Sequence, residues 1–318
     1  MSTTLPLFWH LSSTSKTDRI DASVKLVGAL EQFQSKFTPF SPESSSEEDD
    51  DDEDEEMGAK LGVSNDGLDG PNAPDVSYSI RRLVRGLASP RESSRLGFAV
   101  ALTEVRILCL PLVIMLILSF LKLLSRLTTV SASQIISLIT QSSQVHGSMK
   151  GQEERDMLFA RLFGIASLTR SGILFPSGPL ATSCIPASTI EDFQNAMTML
   201  LALPSQKSFL REPSYWILIL ALRALDASGV EWKDEAWTWI MEKVLVEDKA
   251  WSPEKVGVVL TMQAVGVESD WKALLAPTFK KGDILSSGSL TNLAKILRVR
   301  LDPPADDVRA DQICQRRT

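Results

Sequence analysis

The strongest constraint on this chain is a spacing. Large apolar residues return every three or four positions along most of its length, the interval that lines up one face of an α-helix. In residues 16–37 the repeat is Ile20, Val24, Val27, Leu30 and Phe33; from Val76 it is Ile80, Leu83, Val84 and Leu87. Such stripes lie next to residues that begin helices. Ser89, Pro90 and Glu92 combine an N-cap, a first-turn proline and a capping-box glutamate, so a second helix is predicted to follow the first as a hairpin.

The same grammar recurs downstream. Ser131 precedes Ile135, Ile136 and Leu138; Glu153 precedes Leu158, Leu162, Phe163 and Ile165; Ser188 with Glu191 precedes Phe193, Met197 and Leu200. Further stripes occupy 215–225, 236–245, 256–265 behind Ser252 and Pro253, and 290–297. No run of alternating strand residues interrupts them. The expected fold is all-α, an α-solenoid of HEAT or armadillo-like helical pairs spanning 75–300, with 1–37 as its first helix. No fixed-period repeat is visible in the residues themselves, which leaves a compact irregular helical domain as the alternative.

Two stretches break the pattern. Residues 38–74 are rich in Ser, Pro, Gly and acid and poor in large apolar side chains, so they are expected to be a disordered acidic linker. The formal net charge is -7, yet Glu47, Glu48, Asp49, Asp50, Asp51, Asp52, Glu53, Asp54, Glu55 and Glu56 are ten consecutive acids, which leaves -7 + 10 = +3 for the remainder. The second break is ILCLPLVIMLILSFL, fifteen uncharged residues at 107–121. At about 1.5 Å per residue it is short of the roughly 30 Å hydrocarbon core, and Pro111 would bend it. It reads as a buried central helix, as a membrane segment, or, because removing 105–122 rejoins the stripe of Leu96, Val100 and Thr103 to Leu127, as retained intron sequence. Residues 301–318 read as a disordered tail outside the fold.

Chemistry is sparse. Cys109, Cys184 and Cys314 stand far apart, arguing against a disulfide framework or a thiolate zinc site and for a reducing compartment. The N-terminus has no basic segment or cleavage pattern of a secretory signal, which points to the cytosolic or nuclear side. His10 and His146 have no acid or thiol at ligand spacing, and no phosphate-cradling, nucleophile-elbow or zinc-protease string occurs, so no cofactor or metal is expected.

The segment 78–104, YSIRRLVRGLASPRESSRLGFAVALTE, resembles the N-terminal signature of the Myb-binding protein 1A family, whose fungal members are also called DNA polymerase phi or the fifth yeast DNA polymerase. LPLFWHLSSTSKTDRIDASVKLVGAL matches the family's first helix, GQEERDMLFARLFGIASLTRSGIL at 151–174 matches a third block, and the Trp-rich region from Tyr215 is similar more loosely. The resemblance implies a nucleolar α-solenoid acting in ribosomal DNA transcription, rRNA processing and ribosome biogenesis, with transcription or ribosome-assembly proteins and ribosomal DNA as partners. Family members are longer, with acidic and basic C-terminal regions, so the sequence reads as an N-terminal fragment.

The family name also implies a polymerase, which needs carboxylates on rigid structure clamping two metal ions about 3.5 to 4 Å apart. The acids here sit in the flexible run, where repulsion extends the chain, so the reading is a non-enzymatic scaffold; a membrane-anchored helical protein and a DNA polymerase are the alternatives. For nucleic acid the candidates are Arg81, Arg82, Arg85, Arg91 and Arg95, since 81 with 85 and 91 with 95 share helix faces; the same five also read as a solvated face or as partners of Glu92 and Glu104. The acidic run is the candidate for basic partners, or a solubilising linker, and Ser44, Ser45 and Ser46 beside it are phosphorylation candidates. Trp216, Trp237 and Trp271 are expected in the core, and Trp232, Trp239 and Trp251 in the core or along a groove.

Overall fold

Side-chain caps set where several of the helices begin. Ser15 accepts from the Asp18 amide, and Ser131 and Gln134 form a reciprocal capping box. Thr189 and Asp192 form another, and Ser252 accepts from Lys255 with Pro253 in the first turn. Each satisfies amides that have no partner inside their helix. The computed structural model describes residues 4–38, 66–104, 130–147, 149, 151–176, 188–245 and 251–298.

Among the described residues every regular element is a helix. In chain order they are α1 (Leu5–Leu11), α2 (Lys16–Lys36), α3 (Pro74–Gly86), α4 (Glu92–Glu104), α5 (Ala132–Ser142), α6 (Gln152–Ser171), α7 (Ile190–Gln206), α8 (Arg211–Ala227), α9 (Lys233–Val244), α10 (Pro253–Ala264), α11 (Trp271–Leu275) and α12 (Leu290–Leu297). The all-α expectation therefore holds. Three details differ. The opening block forms two helices, because Ser12 to Ser15 break the run and Ser15 caps the second. α4 starts at Glu92, since the Ser89 hydroxyl takes only the Arg91 amide. Thr189, one residue later than expected, caps α7.

The chain divides into two units, 1–241 and 242–318. In the first, α3 pairs with α4, α5 with α6, and α7 with α8. The pairs stack: α3, α5 and α7 touch in succession as one layer, and α2, α4, α6 and α8 as the other. α6 lies against α3, α4, α5, α7 and α8, and buries residues on several of its sides, from Asp156 and Leu158 through Leu162, Ile165 and Leu168. That burial explains why its apolar residues do not form a single stripe.

At the N-terminal end, Phe8, Leu11, Leu26, Leu30, Val76, Leu83, Leu87 and Phe98 form a core around which α1 to α4 gather. Gly97 makes it possible: a Cβ there would stand 1.8 Å from the Leu11 carbonyl oxygen, so only glycine lets α4 cross the end of α1. The buried faces differ from the expected stripes. Val24 and Leu96 are exposed, while Ala22, Ser23 and Leu26 of α2 and Arg95, Phe98 and Ala99 of α4 point inward. Trp216, expected in the core, is 56% exposed on α8, whereas Trp237 is buried as expected and Trp271 is half-buried.

The second unit has its own core of Val256, Val259, Leu275, Phe279 and Ile284, with Trp251, Trp271 and Leu293 packed against it. Trp251 meets Phe279 edge-on at 4.8 Å, and Trp232 and Trp239 of the first unit pack against Phe193 at 5.6 and 5.9 Å. These three tryptophans thus pack on core phenylalanines.

Candidate nucleic-acid and partner surface

Helical spacing puts Arg81, Arg82 and Arg85 on α3 within a turn of one another, but their neighbours give them different roles. The Arg81 guanidinium donates to both Asp66 oxygens at 2.7 and 2.6 Å and to both Asp69 oxygens at 2.9 and 2.8 Å. Both carboxylates lie in the segment read as linker. Hydrogen bonds to Asp66 first, then to Asp69, raise its pKa above the ordinary guanidinium value.

Residues 66–73 are held in place. Leu68 is fully buried, and its carbonyl accepts from Asn72 Nδ2 at 2.8 Å and Ser77 Oγ at 3.0 Å. Gln34 of α2 donates to the Pro71 carbonyl and accepts from the Ala73 amide, and Gln134 of α5 donates to the Gly67 carbonyl. One buried leucine and a set of satisfied polar groups suffice where apolar residues are few.

Arg82 lies 4.6 Å from the Phe8 ring centroid and 5.8 Å from that of Tyr78, whose hydroxyl accepts from it. Arg95 is buried in α4. Its Nη1 donates to Asp156 Oδ1 of α6 at 2.9 Å and to the Ser89 carbonyl at 2.8 Å, and its guanidinium lies 4.9 Å from the centre of the Phe159 ring. Gln152 donates to both Asp156 oxygens. Arg85 and Arg91 are exposed and make no ion pair among the described residues.

The five arginines therefore divide. Arg81 and Arg95 pair internally, with Asp66, Asp69 and Asp156 rather than with Glu92, and the Glu104 side chain lies outside the described residues; Arg82 packs on aromatic rings; of the five, Arg85 and Arg91 face solvent unpaired among the described residues. Asp156 and the Asp66–Asp69 pair are the residues that sequence reasoning missed. The NDGLDG turn at 65–70 was the available signal, since its two acids stand three apart just ahead of a basic helix.

The acidic run, Glu47 through Glu56, lies outside the described residues, as do Ser44, Ser45 and Ser46, the apolar run 107–121 and the tail 301–318. Among the described residues no helix is long and apolar enough to cross a membrane, and no three His, Cys, Asp or Glu converge to hold a metal ion. A groove of about 430 Å³ runs between α5 and α7, lined by Ser137, Thr140, Gln141, Asn195, Thr198 and Met199, and carries no charged side chain.

The family model for DNA polymerase phi matches residues 78–316, well over half of the chain. The chain belongs to the DNA polymerase phi family. It is 29% identical over 227 residues to the rDNA transcriptional regulator pol5 of Schizosaccharomyces pombe, a match covering 71% of this chain and 21% of that protein. It is 29% identical over 242 residues to the rDNA transcriptional regulator POL5 of Saccharomyces cerevisiae, covering 73% and 22%. The chain thus spans about a fifth of the length of these family members. No solved structure matches it significantly.

Two of the blocks that carried the resemblance meet in the fold. Arg95, in the 78–104 block, pairs with Asp156, in the 151–174 block, so these family-like residues hold α4 to α6.

Proposed function

We propose that this chain is a non-enzymatic nuclear scaffold of HEAT-like helical pairs, acting in ribosomal DNA transcription and, through it, in rRNA processing and ribosome biogenesis in the nucleolus. The family match carries the reading, together with the names of the two relatives as rDNA transcriptional regulators. The stacked pairs of the first unit support the solenoid part, since pair-on-pair layering offers extended surfaces for partners. Transcription or ribosome-assembly proteins and ribosomal DNA are the proposed partners.

Chromatin immunoprecipitation of the tagged chain tests this. Enrichment over the ribosomal DNA repeat, with reduced nascent pre-rRNA on depletion, is the expected outcome; occupancy no higher over ribosomal DNA than elsewhere overturns it. Primer extension with purified protein addresses the polymerase in the family name, and no extension beyond a mock preparation is expected.

A further inference from the structure

Two acids and three lysines of the second unit stand close along the chain. Asp270 accepts from the Ala273 amide at 3.0 Å, and Asp283 from the Leu285 amide at 2.9 Å, so both carboxylates cap turns. Lys272, Lys280 and Lys281 are exposed and make no ion pair among the described residues.

The fold mounts these lysines together. Lys281 has φ 61° and ψ 16°, a left-handed conformation that crowds the Cβ of any residue other than glycine. Its neighbours impose it. On one side Phe279 is fully buried against Trp251. On the other, Gly282, at φ 65°, presses on the backbone of Lys272, where a Cβ would stand 2.5 Å from the Lys272 carbonyl oxygen. That contact joins α11 to the lysine turn. The Lys280 carbonyl accepts from Ser286 and Ser289 hydroxyls, and its stem lies over Gly288, where a Cβ would stand 2.5 Å from Lys280 Cδ.

We propose that Lys272, Lys280 and Lys281 form a contact for the phosphodiester backbone of a nucleic acid, one that contributes more to binding than the exposed Arg85 and Arg91. The inference rests on the DNA-binding part of the reading above. Three exposed lysines, one on α11 and two on the turn packed against its backbone, suit phosphates as point charges and carry no base-reading geometry, so binding is independent of sequence. Each lysine that meets a phosphate releases condensed counterions, which makes affinity fall with salt.

The test is fluorescence anisotropy on the purified intact chain, across a salt series, with a short DNA duplex, a single-stranded RNA of the same length and labelled polyglutamate as probes. The Lys272→Gln/Lys280→Gln/Lys281→Gln variant is expected to lose about tenfold or more in affinity, with the log–log salt slope falling by about 0.9 per lost contact on duplex or about 0.7 on a single strand. The relative affinities of the wild-type chain for the two nucleic-acid probes tell DNA from RNA. Lys281→Gly, which relieves the left-handed strain while removing one charge, should stay folded by circular dichroism and lose about one contact's slope. Arg85→Gln/Arg91→Gln should leave the slope unchanged.

A lysine variant that binds with the wild-type slope overturns the site and leaves the DNA-binding reading standing. Wild-type protein that binds neither nucleic acid overturns both. Polyglutamate bound as tightly as nucleic acid, and lost in the lysine variant, overturns the proposal in favour of an acidic protein partner.

Discussion

Arg95 on α4 and Asp156 on α6 form an ion pair at 2.9 Å with 8% and 6% of their side chains exposed, inside the layer that runs through α2, α4, α6 and α8. The pair gives Arg95 of the 78–104 block a part in holding α4 to α6. Removing one partner leaves a buried charge without its counterion, which costs far more than removing both. Arg95→Met or Asp156→Leu alone should destabilise the chain by about 3–5 kcal/mol, whereas the double variant should recover much of that loss. Urea denaturation followed by circular dichroism checks it; a double variant no more stable than the singles contradicts the pairing.

Arg81 belongs to the same structural class. Asp66→Asn/Asp69→Asn should free residues 66–73 from α3 and speed proteolytic cleavage there, because charge-assisted hydrogen bonds contribute about 1.5–3 kcal/mol each where removed from water. Nucleic-acid affinity should not fall when Arg81 is replaced by Gln, since its guanidinium already serves two carboxylates. Limited proteolysis and the anisotropy series read the two outcomes separately.

Two glycines should respond oppositely to alanine. At Gly97 the new methyl would collide with the Leu11 backbone, which cannot swing away, so Gly97→Ala should separate α1 from α4 and cost several kcal/mol, at or above the roughly 1–3 kcal/mol usual for overpacking. At Gly28, inside α2, no atom lies within 4 Å of the added Cβ, and Gly28→Ala should stabilise by about 0.5–1 kcal/mol through reduced unfolded-state entropy. Thermal melts of both variants would show shifts of opposite sign.

Trp216 and Trp237 should separate in the same way. Trp216, 56% exposed, should quench readily with acrylamide and tolerate Ala within about 0.5 kcal/mol. Trp237, at 7%, should resist quenching and cost about 3–5 kcal/mol on truncation to Ala.

The helices were legible because their signals are local. A cap such as Ser131 with Gln134, or Ser252 with Pro253, acts within one turn of chain, and spacing such as that of 290–297 needs no partner to be recognised. Which face of a helix turns inward is not local. Val24 and Leu96 fit the apolar repeat yet face solvent, because the neighbouring helices cover the sides that carry Ala22 and Leu26 on α2 and Arg95 and Phe98 on α4.

Residues 66–73 were misread for a related reason. Their apolar content is too low to suggest order, but Gln34, Gln134 and Arg81, brought in from three helices, satisfy their polar groups. By itself, then, the sequence determined that the chain is helical, where most helices begin, and the family it resembles. Only the tertiary structure decided that Arg81 and Arg95 hold the fold while Lys272, Lys280 and Lys281 stand free of ion pairs among the described residues. The role of a charge depends on which opposite charge folding carries to it, and those partners lie 12 to 61 positions away along the chain.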